Sequence, residues 1–205
     1  MKKYFITGIG TSVGKTLVSA ILVEALKADY WKPVQCGNLQ FTDSDQVREM
    51  ISNPQSIIYP ETFRFITAAS PHYAAAIENC TIEIEQFILP ETSNHLIIEG
   101  AGGLLVPLND KAFMIDLIKH LDAEVILVSQ NYLGSINHTL LSIEAIQKRN
   151  IKIKGIIFNG KPVVSSEEFI LKHTGIPLLG YIPHLSVIDK NTVVEHSKVF
   201  CSLAE

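Results

Sequence analysis

The residues with the clearest chemical potential lie near the start of the chain, where a glycine-rich turn joins a short apolar run to a helical pattern. The turn contains Gly8 and Gly10 and ends in Gly14-Lys15-Thr16. In such a turn, backbone N–H groups and the positive N-terminal end of the next helix point at one position, which suits a phosphate group. The Lys15 ammonium adds a charge for phosphate oxygens, and the Thr16 hydroxyl is placed to bind Mg²⁺. The motif predicts a phosphate-binding loop.

The spacing of this loop departs from the common form. That form has four residues between its first glycine and Gly-Lys-Thr, which would place a glycine at Ile9. Here Gly8 and Gly10 flank that position, so the loop is a variant. The alternative is a glycine-rich turn with a chance Lys-Thr pair. We prefer the phosphate-binding interpretation because the flanking strand and helix stand where the chemistry needs them.

Short apolar runs and helical patterns alternate along the chain and must position this loop. Most runs are continuously apolar, which is typical of strands buried on both faces of a parallel sheet. The alternation predicts an α/β fold, a doubly wound, mostly parallel sheet flanked by helices, in one domain over residues 1–205. The irregular segment 53–90 is expected to form loops and helices beside the site. The predicted strands are Lys3–Thr7, Tyr30–Gln35, His95–Glu99, Glu124–Ser129, Lys154–Asn159 and Leu178–Ile182, and the predicted helices are Thr16–Lys27, Ala112–Leu121, Ser135–Arg149 and Ser166–His173.

Ligands in such a fold bind at the carboxyl ends of the strands, so polar residues there are the next candidates. Lys32 ends one run, and Glu99 closes another before a glycine-rich turn. Acidic residues are rarely buried in a hydrophobic core, so Glu99 is a candidate for a functional role. Asn159-Gly160 and Pro183-His184-Leu185 follow the last two runs. The alternatives are a strand-edge lysine for Lys32 and an ordinary turn for Asn159-Gly160.

Composition narrows the classes of function. With 205 residues, of which 47% are hydrophobic, the chain can form one large core. A net charge of −4 and a pI near 6.0 argue against a nucleic-acid partner. No apolar run approaches the roughly 18 residues of a membrane span, so we expect no membrane partner and a cytoplasmic location.

Several motifs resemble, in type and order, those of the dethiobiotin synthetase family of the P-loop NTPase superfamily. The resemblance covers most of the chain, and the combination is far more specific than Gly-Lys-Thr alone. The motifs are Gly14-Lys15-Thr16, Trp31-Lys32-Pro33-Val34, Ser70-Pro71-His72, Glu99-Gly100-Ala101-Gly102-Gly103 with Val106-Pro107-Leu108, Leu133-Gly134-Ser135-Ile136-Asn137-His138 and Gly180-Tyr181-Ile182-Pro183.

The resemblance implies an enzyme that uses ATP, Mg²⁺ and CO₂ to close a ureido ring on 7,8-diaminopelargonate. In the family, one amine takes up CO₂ as a carbamate, and a carbamate oxygen attacks the γ-phosphate of ATP. The second amine then displaces phosphate and closes the ring. Such chemistry needs positioning and charge stabilisation, which lysines, metal ligands and backbone donors supply. The resemblance also implies a homodimer with the substrate site at the interface.

The resemblance assigns roles to individual residues. It implies that Lys15 and Lys32 are catalytic and that Thr16, Asp45 and Glu99 are Mg²⁺ ligands. The implied ATP contacts are Ser12, Val13, Gly14, Lys15, Thr16, Leu17, Asp45, Glu99, Gly100, Ala101, Gly102, Asn159, Gly160, Pro183, His184 and Leu185. The implied substrate contacts are Thr11, Cys36, Gly134, Ser135, Ile136 and Asn137.

Three further assignments have structural alternatives. Asp43 and Asp45 both precede a helical pattern that either could cap, and we prefer Asp45 as the ligand. Cys36 stands where the family commonly has a serine, and it could be a buried, inert thiol. Residues 134–137 could be an ordinary helix start with Ser135 as its N-cap, or their N–H groups could hold a substrate carboxylate.

The main alternative function is a regulatory or partitioning P-loop ATPase that binds protein partners. Such proteins usually carry an extra lysine early in the loop, where this chain has Ile9, Gly10 and Thr11. An amide-forming ligase related to cobyrinate-type synthases and a small-molecule kinase remain as further alternatives. A kinase would not explain Lys32-Pro33 or the Glu99 segment.

Overall fold

A parallel β-sheet forms the centre of the molecule in a computed structural model that describes residues 1–204. The sheet has seven strands in the order β4-β2-β6-β1-β7-β8-β9, and every neighbouring pair is parallel. A separate parallel pair joins β3 to β5. The strands are β1 (Lys3–Gly8), β2 (Asp29–Trp31), β3 (Val34–Cys36), β4 (Ile58–Tyr59), β5 (Phe63–Phe65), β6 (Leu96–Gly103), β7 (Glu124–Ser129), β8 (Ile153–Asn159) and β9 (Leu178–Ile182).

Helices cover both faces of this sheet. In β1, Tyr4 and Ile6 belong to one hydrophobic cluster and Phe5 belongs to the other. Because successive side chains of a strand point to opposite faces, this division confirms a sheet that is buried on both sides. The helices are α1 (Lys15–Leu26), α2 (Asp43–Met50), α3 (Pro71–Ile77), α4 (Met114–His120), α5 (Ser135–Lys148), α6 (Val164–Thr174) and α7 (Lys190–Ser197), with short 3₁₀ segments at Ile84–Gln86 and Lys198–Ala204.

The expected doubly wound, mostly parallel architecture is confirmed. The chain builds the sheet on both sides of β1: β6, β2 and β4 lie on one side, and β7, β8 and β9 lie on the other. In folds of this kind, ligands bind at the carboxyl ends of the strands, at the point where the direction of strand addition reverses. The loop from Gly8 to Lys15 leaves β1 at this point.

The predicted strand Tyr30–Gln35 is wrong as a single strand. The structure divides it into β2 and β3, which lie in different sheets. The break falls at Lys32-Pro33, because proline has no N–H group for a ladder of hydrogen bonds. The Pro33 carbonyl instead accepts hydrogen bonds from the N–H groups of Thr62 and Phe63, at 3.0 Å each.

Two other regions differ from expectation. The segment 53–90 contains α3 and a 3₁₀ turn as expected, but it also contributes β4 and β5. Helix α7 follows β9 and packs against α1, although the sequence analysis identified no helix there. Among the described helices, none is both long enough and apolar enough to cross a membrane.

Candidate active site

The glycine-rich loop is held in a conformation that exposes its backbone. Ser12 and Gly14 have positive φ angles of 60° and 90°. Gly14 caps the N-terminus of α1, and no side chain of residues 1–204 bonds to the first N–H groups of that helix. A Cβ atom at position 14 would lie 2.1 Å from the Asn159 amide nitrogen, so only glycine fits there. The arrangement leaves backbone donors free for an anion.

Asn159 holds this loop from the end of β8. Its Nδ2 donates to the Val13 carbonyl oxygen at 2.9 Å. The neighbouring Gly160 N–H donates to the Ile182 carbonyl oxygen at 2.8 Å, which joins the ends of β8 and β9. The structure thus brings two segments of implied ATP contacts, which lie at the ends of β8 and β9, to the edge of the sheet that carries the loop. Of the segment after β9, Pro183 and His184 are exposed and Leu185 is half-buried.

Lys32 and Glu99 form the centre of a polar cluster under the loop. Trp31 pairs with Ile98 in the parallel register of β2 and β6, so the residues that follow them lie side by side. The Lys32 ammonium is 3.0 Å from Glu99 Oε1, and both side chains are buried. The Thr16 hydroxyl donates to the same oxygen at 2.8 Å. These contacts bring together three predicted site residues from separate parts of the chain.

Two further residues join the cluster: Tyr30, which was not predicted, and Asp43, which was the less preferred alternative to Asp45. The Tyr30 hydroxyl donates to Glu99 Oε2 at 2.9 Å. Asp43, in the first turn of α2, forms an ion pair with Lys32. The Gln35 side chain links Asp43 to the loop after β3. Its Nε2 donates to the Gly37 carbonyl at 3.0 Å, and its Oε1 accepts from the Asp43 N–H at 3.4 Å. Alternation along an extended strand places residues 30 and 32 on one face, and that is the only sequence signal for Tyr30.

The geometry favours Asp43 over Asp45 in this cluster, in contrast to the preference drawn from the sequence. Asp45 Oδ2 accepts from both the N–H and the hydroxyl of Thr42, in a capping box at the start of α2. Its other oxygen pairs with Arg48 at 2.6 Å. These contacts lower the pKa of Asp45, with the Thr42 backbone N–H as the largest cause. The Asp45 carboxylate is therefore engaged by its own helix.

Charge complementarity keeps the buried pair ionised. Burial alone would lower the pKa of Lys32, but the Glu99 and Asp43 carboxylates outweigh it and raise that pKa. Burial would raise the pKa of Glu99, whereas the Lys32 charge and the hydrogen bonds from Thr16 and Tyr30 lower it. Burial and the nearby Glu99 charge raise the pKa of Tyr30 well above its usual value. Lys32 is thus a fixed positive charge, and Tyr30 is a hydroxyl donor.

Lys15 differs from Lys32 in its electrostatic environment. It is buried at the start of α1, and its ammonium donates to the Gly10 carbonyl at 2.9 Å. Burial lowers its pKa to about 8, and the Glu99 carboxylate opposes this effect only in part. An incoming anion would supply the missing negative charge.

The glycines of β6 let this strand pack closely against β1 and the start of the loop that follows it. A Cβ atom at Gly100 would lie 2.7 Å from the Phe5 ring, and one at Gly103 would lie 3.4 Å from the Gly8 carbonyl oxygen. Gly8 and Gly103 are register partners. Ala101 and Gly102 are half-buried between these close approaches. Thr11 and Ser12 in the loop are exposed, and Leu17 in α1 is half-buried.

Cys36 ends β3 close to this cluster. Burial raises the pKa of its thiol to about 11, although the Lys32 charge acts in the opposite direction. A protonated thiol is a poor nucleophile. Gly37 follows with a φ of 74°, and its Cβ position would meet Ala68 at 2.6 Å.

Residues 134–137 form a helix start that differs in detail from the expectation. Gly134, with a φ of 101°, is the N-cap of α5, and Ser135 is the first helical residue. The Ser135 side chain is buried, and among the described residues no side chain caps the first turn. Leu133 is fully exposed beside it. Within residues 1–204, no described hydrogen bond or ion pair joins this turn to the Lys32 cluster.

The oxygen donors of the cluster fit a magnesium ion. They are a hydroxyl, from Thr16, and the carboxylates of Glu99 and Asp43, which are the hard ligands that Mg²⁺ prefers. Mg²⁺ usually takes only one or two protein carboxylates and keeps waters or phosphate oxygens as its other ligands. Among the described residues there is no group of three or more His, Cys, Asp and Glu side chains that could hold a metal ion.

A phosphate-binding loop on a doubly wound parallel sheet defines a P-loop nucleotide-binding protein. The family described as "AAA domain" matches residues 2–192. Among solved structures, the septum site-determining protein MinD of Pyrococcus horikoshii OT3, complexed with Mg-ADP, is 19% identical and has a TM-score of 0.61, over 95% of this chain and 86% of that one. A ParA family ATPase from Chlorobium tepidum TLS is 15% identical, with a TM-score of 0.56, over 97% and 91%. At these identities the likeness concerns the fold alone.

Sequence relatives define the family more narrowly. The ATP-dependent dethiobiotin synthetase BioD of Cytophaga hutchinsonii is 54% identical over 96% of this chain and 96% of the relative. The protein of the same name from Christiangramia forsetii is 50% identical over 97% and 96%. The one from Chlamydia pneumoniae is 42% identical over 94% and 86%. The chain belongs to the dethiobiotin synthetase family.

Proposed function

We propose that this chain catalyses the ATP- and Mg²⁺-dependent carboxylation and ring closure of 7,8-diaminopelargonate with CO₂, which yields dethiobiotin, ADP and phosphate. Residues 1–205 act as one cytoplasmic ligase domain in biotin biosynthesis. The observation that carries the proposal is the buried Lys32–Glu99 pair beneath a phosphate-binding loop, in a chain of this family. A fixed cation at that position suits a reaction between two anions, a carbamate and a triphosphate.

The two lysines, Lys15 and Lys32, have different roles toward these anions. Lys15 and the free N–H groups of the loop bind phosphate oxygens of ATP, together with Ser12, Val13, Gly14, Thr16 and Leu17. Lys32 stabilises the negative charge that develops when a carbamate oxygen attacks the γ-phosphate. Because Glu99 and Asp43 keep Lys32 protonated, its charge is in place before the substrates bind. The residues of the loop orient the reactants for an in-line transfer.

Thr16, Glu99 and Asp43 are the proposed holders of Mg²⁺, with Asp43 in the role first assigned to Asp45. Bound Mg²⁺ would neutralise charge on the phosphate oxygens of ATP. Lys32 donates to Glu99 in the described structure, so it compensates the charge of the carboxylates. Gly100, Ala101 and Gly102 lie beside the loop and are proposed to contact ATP through their backbone.

The adenine is proposed to lie against the ends of β8 and β9. Asn159 and Gly160 come from one strand end, and Pro183, His184 and Leu185 come from the other. The Asn159 Nδ2 group bonded to Val13 still has a second hydrogen, and its Oδ1 can accept one. An amide with both groups can pair with the N6/N7 edge of adenine.

The substrate is proposed to lie between two copies of the chain. Thr11 and Cys36 of one subunit contact the substrate, and the first turn of α5 of the other subunit, from Gly134 to Asn137, holds its carboxylate. The uncapped N–H groups of that turn are suitable anion donors. The fully exposed Leu133 beside it supports a surface that a second copy covers.

The decisive measurement is phosphate release in the presence of ATP, Mg²⁺, bicarbonate and diaminopelargonate. We expect release that depends on the diamine and is accompanied by dethiobiotin in equal amount. Release that is independent of the diamine would contradict the proposal and would point to a free-standing ATPase. The regulatory or partitioning ATPase is not favoured, because the similarity to MinD and ParA proteins concerns the fold alone, whereas the dethiobiotin synthetases match along nearly the whole chain.

A further inference from the structure

Glu99 has a different set of partners on each of its two oxygens. Oε1 accepts from the Thr16 hydroxyl at 2.8 Å and from the Lys32 ammonium at 3.0 Å. Oε2 accepts from the Tyr30 hydroxyl at 2.9 Å. Thr16 and Lys32 belong to the proposed catalytic machinery, whereas Tyr30 reaches the carboxylate from within the core.

The position of Tyr30 calls for an explanation beyond packing. Its side chain is fully buried, at 0% exposure, in the hydrophobic cluster that also contains Tyr4, Ile6 and Ile97. Phenylalanine would fill the same space, and a buried hydroxyl costs free energy unless it is hydrogen-bonded. Its hydrogen bond to Glu99 offsets that cost. The hydroxyl therefore acts on this carboxylate.

A hydrogen bond on one oxygen restricts the whole carboxylate. The last torsion of a glutamate side chain is broad and roughly two-fold, so an unanchored carboxylate can rotate and exchange its oxygens. A donor fixed in the core removes that freedom. With Oε2 held by Tyr30, Oε1 is the oxygen directed at Thr16.

We propose that the Tyr30 hydroxyl is a positioning group that anchors Glu99 Oε2 and thereby presents Oε1 to the Mg²⁺ ion. The inference rests on the proposed function, in which Glu99 is a metal ligand. Loss of a partner that orients a ligand typically costs 10- to 100-fold in metal affinity. Tyr30 itself contacts neither the nucleotide nor the substrate in this account.

The test compares Tyr30→Phe with Tyr4→Phe, a matched control. Tyr4 is also fully buried, but its hydroxyl donates to the Leu203 carbonyl at 3.3 Å, away from Glu99. Binding of Mn²⁺ to each ADP-loaded protein is titrated by electron paramagnetic resonance of the free ion. We expect the Mn²⁺ Kd to rise about 10-fold or more in Tyr30→Phe and to stay unchanged in Tyr4→Phe. The KM for diaminopelargonate should change little.

Two outcomes would overturn the proposal. The first is an unchanged Mn²⁺ Kd in folded Tyr30→Phe. The second is a Tyr30→Phe variant that fails to fold while Tyr4→Phe folds, because Tyr30 would then have a structural role. Glu99→Gln separates this failure from that of the proposed function. If Glu99→Gln binds Mn²⁺ as the wild type does, Glu99 is not a ligand and the positioning proposal fails, whereas the proposed function fails only if phosphate release does not depend on the diamine.

Discussion

Lys32 and Glu99 form a buried ion pair of 3.0 Å because they follow Trp31 and Ile98, which are register partners in β2 and β6. The backbone register thus places the two residues next to each other. Both partners are almost inaccessible, so each charge depends on the other for compensation. The pair places a permanent cation beneath the phosphate-binding loop.

The first prediction concerns the Lys32 charge. Replacing Lys32 with Ala should lower kcat by about 100-fold or more, since loss of one donor to a developing oxyanion has that effect. The measurement is diamine-dependent phosphate release, with Lys172→Ala on the exposed face of α6 as the control. Thermal unfolding is needed alongside, because Glu99 loses its partner. A folded Lys32→Ala protein with near-normal turnover would show that Lys32 is not catalytic.

The second prediction distinguishes Asp43 from Asp45. Asp43→Asn should raise the Mg²⁺ concentration needed for half-maximal activity about 10-fold or more, because it removes a proposed ligand beside Lys32. Asp45→Asn should leave that concentration nearly unchanged and should lower the free energy of unfolding by about 0.5–2 kcal/mol, since it weakens the capping box of α2. The opposite pattern would restore Asp45 as the ligand.

These two aspartates show where prediction from the sequence ends. The loop motif, the strand-end positions of Lys32 and Glu99 and the parallel sheet all follow from local patterns, and the architecture is confirmed. Asp43 and Asp45 lie in the same first turn, two residues and about 200° apart around the helix. Which of them faces Lys32 depends on the rotation of α2 against α1, a tertiary property that no local pattern encodes. Tyr30 was missed for the same reason, since its partner is 69 residues away.

The third prediction concerns Glu24, a buried carboxylate of α1 that has no role in the proposed active site. It accepts hydrogen bonds from the N–H groups of Ser52 and Asn53 and from the Lys27 ammonium. Burial opposes ionisation, but these donors prevail and lower its pKa to about 2 from 4.5. Its stabilising effect is therefore complete above pH 4.5 and is lost as the pH falls toward 2.

Glu24→Gln should accordingly lower the free energy of unfolding at neutral pH by about 1–3 kcal/mol, the usual range for hydrogen bonds to charged groups. The difference from the wild type should shrink as the pH falls below 4.5. Urea unfolding at several pH values measures it, with Glu195→Gln on the exposed side of α7 as the control. A difference that stays constant with pH would mean that the charge of Glu24 does not contribute.

The fourth prediction follows from the pKa of Lys15, which burial lowers to about 8 in the free protein. Phosphate oxygens favour the charged ammonium, so nucleotide binding should raise that pKa. At about pH 8.5, well above the phosphate pKa of about 6, part of the Lys15 population is neutral, and binding of ADP should therefore take up protons from the solution. Calorimetric titration in buffers of different ionisation enthalpy measures this uptake. Lys15→Met should abolish it, whereas Lys172→Met, a change to an exposed lysine, should not. Equal proton uptake in Lys15→Met and the wild type would mean that another group titrates and that Lys15 is already fully charged in the free protein.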